Sequence, residues 1–136
     1  MQMKCWVIDT NVVVSGLLTP GGPSARVLDA VLEGRIRMVY DARILAEYRD
    51  VLRRPRFKLN PEAIDAFLGG VRGQMLVAPV PIPATGPDPD DLIFIEAALA
   101  VPERTIVTGN LADFPEKVLH GTRVITPTQA VGELGP

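Results

Sequence analysis

The chain has 136 residues, 47% of them apolar, which suits one domain with a substantial core. Its formal charge of −2, from 16 acidic and 14 basic residues, argues against a non-specific DNA coat protein, which would be clearly basic. One cysteine (Cys5) and one histidine (His120) rule out an internal disulfide framework and leave almost nothing from which to build a zinc site or a His-based nucleophilic triad, so any chemistry must rest on Asp, Glu, Asn, Ser, Thr and Arg.

Lys4 to Ile8 reads as a strand buried on both faces, because Cys5, Trp6, Val7 and Ile8 are consecutively apolar. Asp9-Thr10-Asn11 follows its C-terminal end, and Val12 to Leu18 predicts a short helix that stops near Pro20-Gly21-Gly22-Pro23. Ser24 is the expected cap of a helix to Glu33, with Gly34 as its stop. Ile36 to Tyr40 predicts a second strand. Asp41 is the expected N-cap of a helix reaching about Arg54, ended by Pro55. Asn60-Pro61-Glu62 opens another helix, expected to end around Gly69-Gly70.

Met75 to Val80 predicts a weaker third strand, followed by a loop containing Pro81, Pro83, Pro87 and Pro89. Asp90 or Asp91 opens an almost wholly apolar helix to about Val101. Thr105 to Thr108 and Arg123 to Ile125 predict the last two strands, and Thr126-Pro127 begins a terminal helix. Strands alternating with helices imply a three-layer α/β/α domain with a parallel sheet, spanning 1–136 without an internal linker or repeat. No apolar run approaches bilayer length, and the N-terminus reaches Asp9 too early for a signal peptide, which points to the cytosol.

In such sheets ligands collect at the carboxyl ends of the strands, and Asp9 and the Asn110/Asp113 pair both lie just beyond a strand. Each acid also has a plainer reading. Asp9 is in a position to cap a helix. Glu47 falls at the margin of the stripe Ile44, Leu45, Tyr48, Val51 and Leu52, where it would suit a crevice rim or an ion pair with Arg43 four residues back. Asp88, Asp90 and Asp91 lie within four residues at a helix start; one or two would complement the dipole, but three repel one another unless a cation offsets them. Asp113, after Thr108-Gly109-Asn110, is equally placed to cap the next turn. Together, several carboxylates without histidine or cysteine select hard cations, Mg²⁺ or Mn²⁺. Such ions stabilise charge developing on a phosphodiester and acidify water.

The ordered set of an apolar strand ending in Asp9-Thr10-Asn11, a mid-chain helical Glu47, Asp88-Pro89-x-Asp91 before an apolar helix, and Val107-Thr108-Gly109-Asn110-x-x-Asp113 resembles the PIN-domain ribonucleases. Within them it is most similar to the small bacterial toxin-type members, the VapC-like nucleases of toxin–antitoxin pairs. The resemblance covers essentially the whole chain and implies a five-stranded parallel sheet. It assigns Asp9, Glu47, Asp91 and Asp113 as the metal-binding catalytic acids, Asp88 as an auxiliary acid and Asn11 as a supporting amide; Thr108 and Asn110, read from their own chemistry, are further supporting groups able to hydrogen-bond around a metal-bound water. The resemblance further implies an RNA substrate, a cognate antitoxin and homodimer assembly. Many relatives carry an acid where this chain has Asn110, so Asn110→Asp is expected to tighten metal binding if that side chain faces the site. The cations Arg49, Arg53, Arg54, Arg56 and Lys58 read either as a solvated helix end or as a phosphate-contacting strip.

Two other functions compete with a metal-dependent endoribonuclease. Asn110 favours a PIN-like module that binds RNA or protein without cutting. A phosphatase or phospho-acceptor domain also places an aspartate after a hydrophobic strand, but phosphotransfer of that kind wants an acid at position 11 and a lysine after a later strand; Asn11 is not an acid, and Thr105 to Asp113 contains no lysine.

Overall fold

The computed structural model describes residues 3–83, 89–116 and 119–135. Among them are five strands, β1 (Lys4–Ile8), β2 (Ile36–Tyr40), β3 (Met75–Leu76), β4 (Thr105–Val107) and β5 (Arg123–Ile125). The α-helices are α1 (Thr10–Leu18), α2 (Pro23–Leu32), α3 (Ala42–Leu52), α4 (Pro61–Arg72), α5 (Pro89–Ala98) and α6 (Pro127–Leu134). The sheet is parallel throughout, in the order β3-β2-β1-β4-β5.

Trp6, Val7 and Ile8 are consecutive and fully buried. Successive side chains on a strand point to opposite faces, so both faces of β1 are covered, and the architecture is three-layered α/β/α. Helix α5 packs on β1, β2 and β4, while α2 and α3 both pack on β2. The chain builds outward from β1 through β2 to β3, then resumes on the other flank with β4 and β5. The order therefore reverses between β1 and β4, and a crevice is expected at their carboxyl ends.

Strands β1, β2 and β5 have the predicted bounds, and Asp41 caps α3 by accepting from the backbone N–H groups of Arg43 and Ile44. Several expectations differ from the structure. Helix α5 starts at Pro89, ahead of Asp90 and Asp91, and ends at Ala98, short of Val101, and β4 ends at Val107. Helix α1 begins at Thr10 and not at Val12, with Asp9 alone between it and the strand. The N-cap of α2 is Gly22, with Pro23 at the first helical position, where its missing N–H costs nothing; Ser24 lies inside the helix. Helix α4 continues past Gly69-Gly70 to Arg72 because Ile64, Leu68 and Val71 form one buried stripe across the pair. Strand β3 is only two residues long: after Val77 donates to the Tyr40 carbonyl at 2.9 Å, Pro79 and Pro81 lack the N–H that a ladder needs.

The glycine pair in α4 gives a simple expectation. A Cβ at Gly69 meets nothing within 4 Å, and the residue is helical and exposed. Gly69→Ala should stabilise the fold by about 0.5–1 kcal/mol, read as a shift in urea midpoint at unchanged slope.

An ionic network of two buried carboxylates and an exposed arginine ties α3 to α5. Arg43 lies 2.9 Å from Asp41 and 2.7 Å from Glu96, and both carboxylates are almost fully buried. The other Glu96 oxygen accepts from the Ile82 backbone N–H at 3.1 Å, and its carbonyl accepts from Val80 at 2.9 Å. Glu96 is the polar residue that interrupts the apolar surface of α5, and these bonds account for its burial.

Candidate active site

Asp9 stands at the first position beyond β1, with its backbone N–H donating to the Val107 carbonyl at 2.9 Å, so the end of β4 fixes its place. It occupies the N-cap position of α1, yet its side chain makes no capping bond to the second or third turn residue. The carboxylate instead faces the β4 end. Its Oδ2 accepts from the Thr108 hydroxyl at 2.7 Å and from the Asn11 side-chain amide at 3.0 Å. The same amide reaches Thr108 Oγ1 at 3.4 Å, while Asn11 Oδ1 accepts from the Gly109 N–H at 2.9 Å. The Asn110 N–H closes the ring on Thr108 Oγ1 at 3.1 Å. Asn11 and Thr108 thus orient Asp9 from two separate strand ends. Gly109 suits the close approach, since a Cβ there would lie 3.3 Å from Asn11 Oδ1.

Glu47 arrives from α3. The ion pair with Arg43 that its spacing allowed does not form, because Arg43 is engaged with Asp41 and Glu96. Glu47 Oε2 instead accepts from the Thr10 hydroxyl at 2.9 Å. The next residue, Tyr48, is fully buried and donates its hydroxyl to the Ile8 carbonyl, pinning α3 to the end of β1. Burial, together with the charges of Asp9, Glu47 and Asp41, pushes the Tyr48 phenol well above its ordinary range, so it remains a neutral donor. Tyr48→Phe leaves the buried Ile8 carbonyl without that donor and should cost about 1–2 kcal/mol by denaturant melt.

Asp9, Glu47 and Asp113 line one open cleft of about 540 Å³, together with Thr10, Asn11 and Ser15 of α1. Asp113 belongs to the 3-10 turn Leu111–Asp113 that follows β4. Asp9 is only 5% exposed, and burial raises its pKa; the Thr108 hydroxyl and the Thr10 backbone N–H oppose that rise, and the charges of Asp113 and Glu47 add to it. None of the three acids is in an ion pair among the described residues. An unneutralised group of carboxylates around a buried one is the donor set a hard divalent cation matches. As placed, no three His, Cys, Asp or Glu side chains of the described residues stand close enough to enclose one ion, so the acids share a cleft and not a closed shell.

Asp91 sits in the first turn of α5, half-buried, and the described lining of the cleft does not include it. As the helix that returns the chain to the start of β4, α5 begins at the edge where the strands end, the same edge that carries Asp9. Asp88 lies outside the described residues. Asn110 is exposed and contributes its backbone N–H to Thr108, but its side chain does not line the cleft. Of the five basic residues, Arg54 and Arg56 line the cleft mouth. Arg53 lies 3.4 Å from Asp65, Arg49 lies 3.7 Å from Asp50, and Lys58 lines a neighbouring hollow with Arg53.

Sequence reasoning did not single out Thr10, Tyr48 or Phe57. Thr10 could have been noticed as a hydroxyl beside the first acid. Tyr48 lay hidden in an apolar stripe, where only the need of a buried phenol for an acceptor hints at its role. No helix of the described residues is long and apolar enough to cross a membrane.

Residues 6–112 match the family model described as PIN domain, a span that contains Asp9, Asn11, Glu47, Asp91 and Thr108 and stops one residue short of Asp113. No curated protein gives a match.

Proposed function

The chain belongs to the PIN domain family, whose members are in general metal-dependent nucleases, and from that premise we propose that it is an endoribonuclease using Mg²⁺ or Mn²⁺ to hydrolyse RNA phosphodiesters. The observation that carries this reading is the shared cleft of Asp9, Glu47 and Asp113. Three acids from a strand end, a helix and a 3-10 turn face one space at the point where strand order reverses. A divalent cation held there supplies charge neutralisation for the phosphodiester and makes water a better nucleophile at neutral pH.

The chain's own residues supply the positioning. Thr108 and Asn11 hold Asp9 in one orientation, and Thr10 holds Glu47, so neither carboxylate must be ordered when a ligand arrives. Asp91 is proposed as the fourth acid, because its helix starts at the same edge of the sheet, and Asp88 as an auxiliary one. The toxin role, with a cognate antitoxin and a homodimer, rests on the motif order alone. Growth arrest on expression of the wild-type chain, absent for Asp9→Asn, is the expected sign of that role.

The test is cleavage of single-stranded RNA with Mg²⁺ or Mn²⁺, its loss on chelation, and a calorimetric Mn²⁺ titration. Metal binding and cleavage should both weaken in Glu47→Gln and Asp113→Asn. The position of Asn110 sets a contrast: since its side chain does not line the cleft, Asn110→Asp should leave Mn²⁺ affinity nearly unchanged, whereas Asp113→Asn should lower it. RNA binding without any Mn²⁺ heat or cleavage would instead identify a binding module.

A further inference from the structure

We propose that the turn carrying Arg54, Arg56 and Phe57 is a single-stranded RNA subsite at the mouth of the acid cleft, in which a base stacks on the Arg56–Phe57 pair and Arg54 takes a neighbouring phosphate. The proposal rests on the ribonuclease reading and extends it to substrate class and grip.

The physical need is plain. A chain of net charge −2 does not attract a polyanion as a whole, and three of its carboxylates are gathered in the cleft. Local cations must hold the backbone there. The structure sorts the basic cluster accordingly. Arg49 and Arg53 are spent on Asp50 and Asp65, whereas Arg54 and Arg56 are exposed, line the acid cleft and are in no ion pair among the described residues.

Pro55 ends the run of α3 and opens a 3-10 turn, Pro55–Phe57, closed by Lys58 in the left-handed region at φ 50°. That turn sets Arg56 and Phe57 side by side, with the guanidinium carbon 4.8 Å from the ring centroid. Phe57 is half-buried against the core, so its ring is held in place, and it is an aromatic ring that lines the cleft. A guanidinium backed by a ring is a pre-ordered plane, and arginine planes stack on unpaired bases as aromatic rings do. A base in a duplex offers no such face, which is why the geometry points to single strands.

The experiment measures binding of a short fluorescein-labelled single-stranded RNA of mixed sequence by anisotropy. It uses the full chain carrying Asp9→Asn, so that the RNA stays intact, with Mg²⁺ present. Arg56→Lys keeps the charge and loses the plane; Phe57→Leu keeps apolar volume and loses the ring. Each should weaken binding about tenfold, with little change in salt dependence. Arg54→Gln should weaken binding and reduce the slope of log affinity against log salt by about 0.7, the value for one lost phosphate contact on a single strand, while Arg54→Lys should retain both. Unchanged affinity in Arg56→Lys and Phe57→Leu overturns the stack, as does equally tight binding of the matching duplex. A comparable loss in Arg26→Gln, an exposed arginine of α2 outside the cleft, would mean diffuse charge and also overturns it. No measurable binding of single-stranded RNA does the same. Cleavage by the wild-type chain is scored separately. The predicted binding pattern without cleavage removes the nuclease reading and keeps the subsite; cleavage indifferent to Arg56 and Phe57 does the reverse.

Discussion

Asp9→Asn is expected to lower kcat/KM for RNA cleavage by about a thousandfold or more, equivalent to losing about 4 kcal/mol of transition-state stabilisation, while the metal-free protein becomes more stable at neutral pH. The two halves of this expectation share one cause. The Asp9 carboxyl is buried beside Glu47 and Asp113, and burial with those charges holds its pKa above that of an unfolded chain. A raised carboxyl pKa means that the folded state binds the proton more tightly. Its contribution to stability is therefore complete below the unfolded value, about 3.9, and is lost as pH rises through the higher folded pKa. Asparagine carries no such charge. It can keep an oxygen towards the Thr108 hydroxyl, at the cost of the bond from the Thr10 backbone N–H.

Melting in chelator across this range should show the variant gaining on the wild type as pH rises from about 4 to neutrality. With saturating Mg²⁺ or Mn²⁺ the order should reverse, because ligand binding stabilises only the chain that holds the ligand well. Severe loss of stability in the metal-free variant at neutral pH would mean that Asp9 is held for structure. Retained cleavage would remove it from the chemistry.

Thr108→Val should do the greatest damage among the groups that position the acids. Thr108 is fully buried; its hydroxyl donates to Asp9 and accepts from Asn11 and from the Asn110 N–H, three bonds that valine cannot make at nearly the same volume. Leaving those partners unsatisfied should cost about 2 kcal/mol, or about 7 °C in Tm for a domain of this size. Metal affinity and cleavage should fall about 10–100-fold, the usual consequence of losing a group that orients a metal ligand. A pH profile separates positioning from mere destabilisation. The Thr108 hydroxyl works against the rise in the Asp9 pKa, so its removal should move the acid limb of the cleavage profile to higher pH. Thr108→Ser should restore both the limb and the rate. A drop in Tm with an unmoved acid limb would reduce Thr108 to a core residue.

Much of this molecule is legible without coordinates. The strands β1, β2 and β5, the Asp41 cap and the α/β alternation follow from short-range rules of apolar runs, caps and breakers, which act within a few residues and therefore survive in a single sequence. Ordered placement of acids after strands located Asp9 and Asp113, and helical periodicity set Glu47 at the edge of its stripe. Tertiary structure decided the rest. It carried α4 through Gly69-Gly70, because burying Leu68 and Val71 outweighs the helical cost of the glycines, and it cut β3 short where prolines end the ladder. It also decided what each polar side chain faces. Periodicity leaves Glu47 free to meet either Arg43 or the crevice, and only the packing of α3 on α5 commits Arg43 to Glu96 and leaves Glu47 to Thr10. The basic run from Arg49 to Lys58 is uniform as a sequence, yet one turn of backbone divides it between ion pairs and the cleft mouth. Partner choice of this kind depends on residues far apart in the chain, and local sequence rules carry no information about that distance.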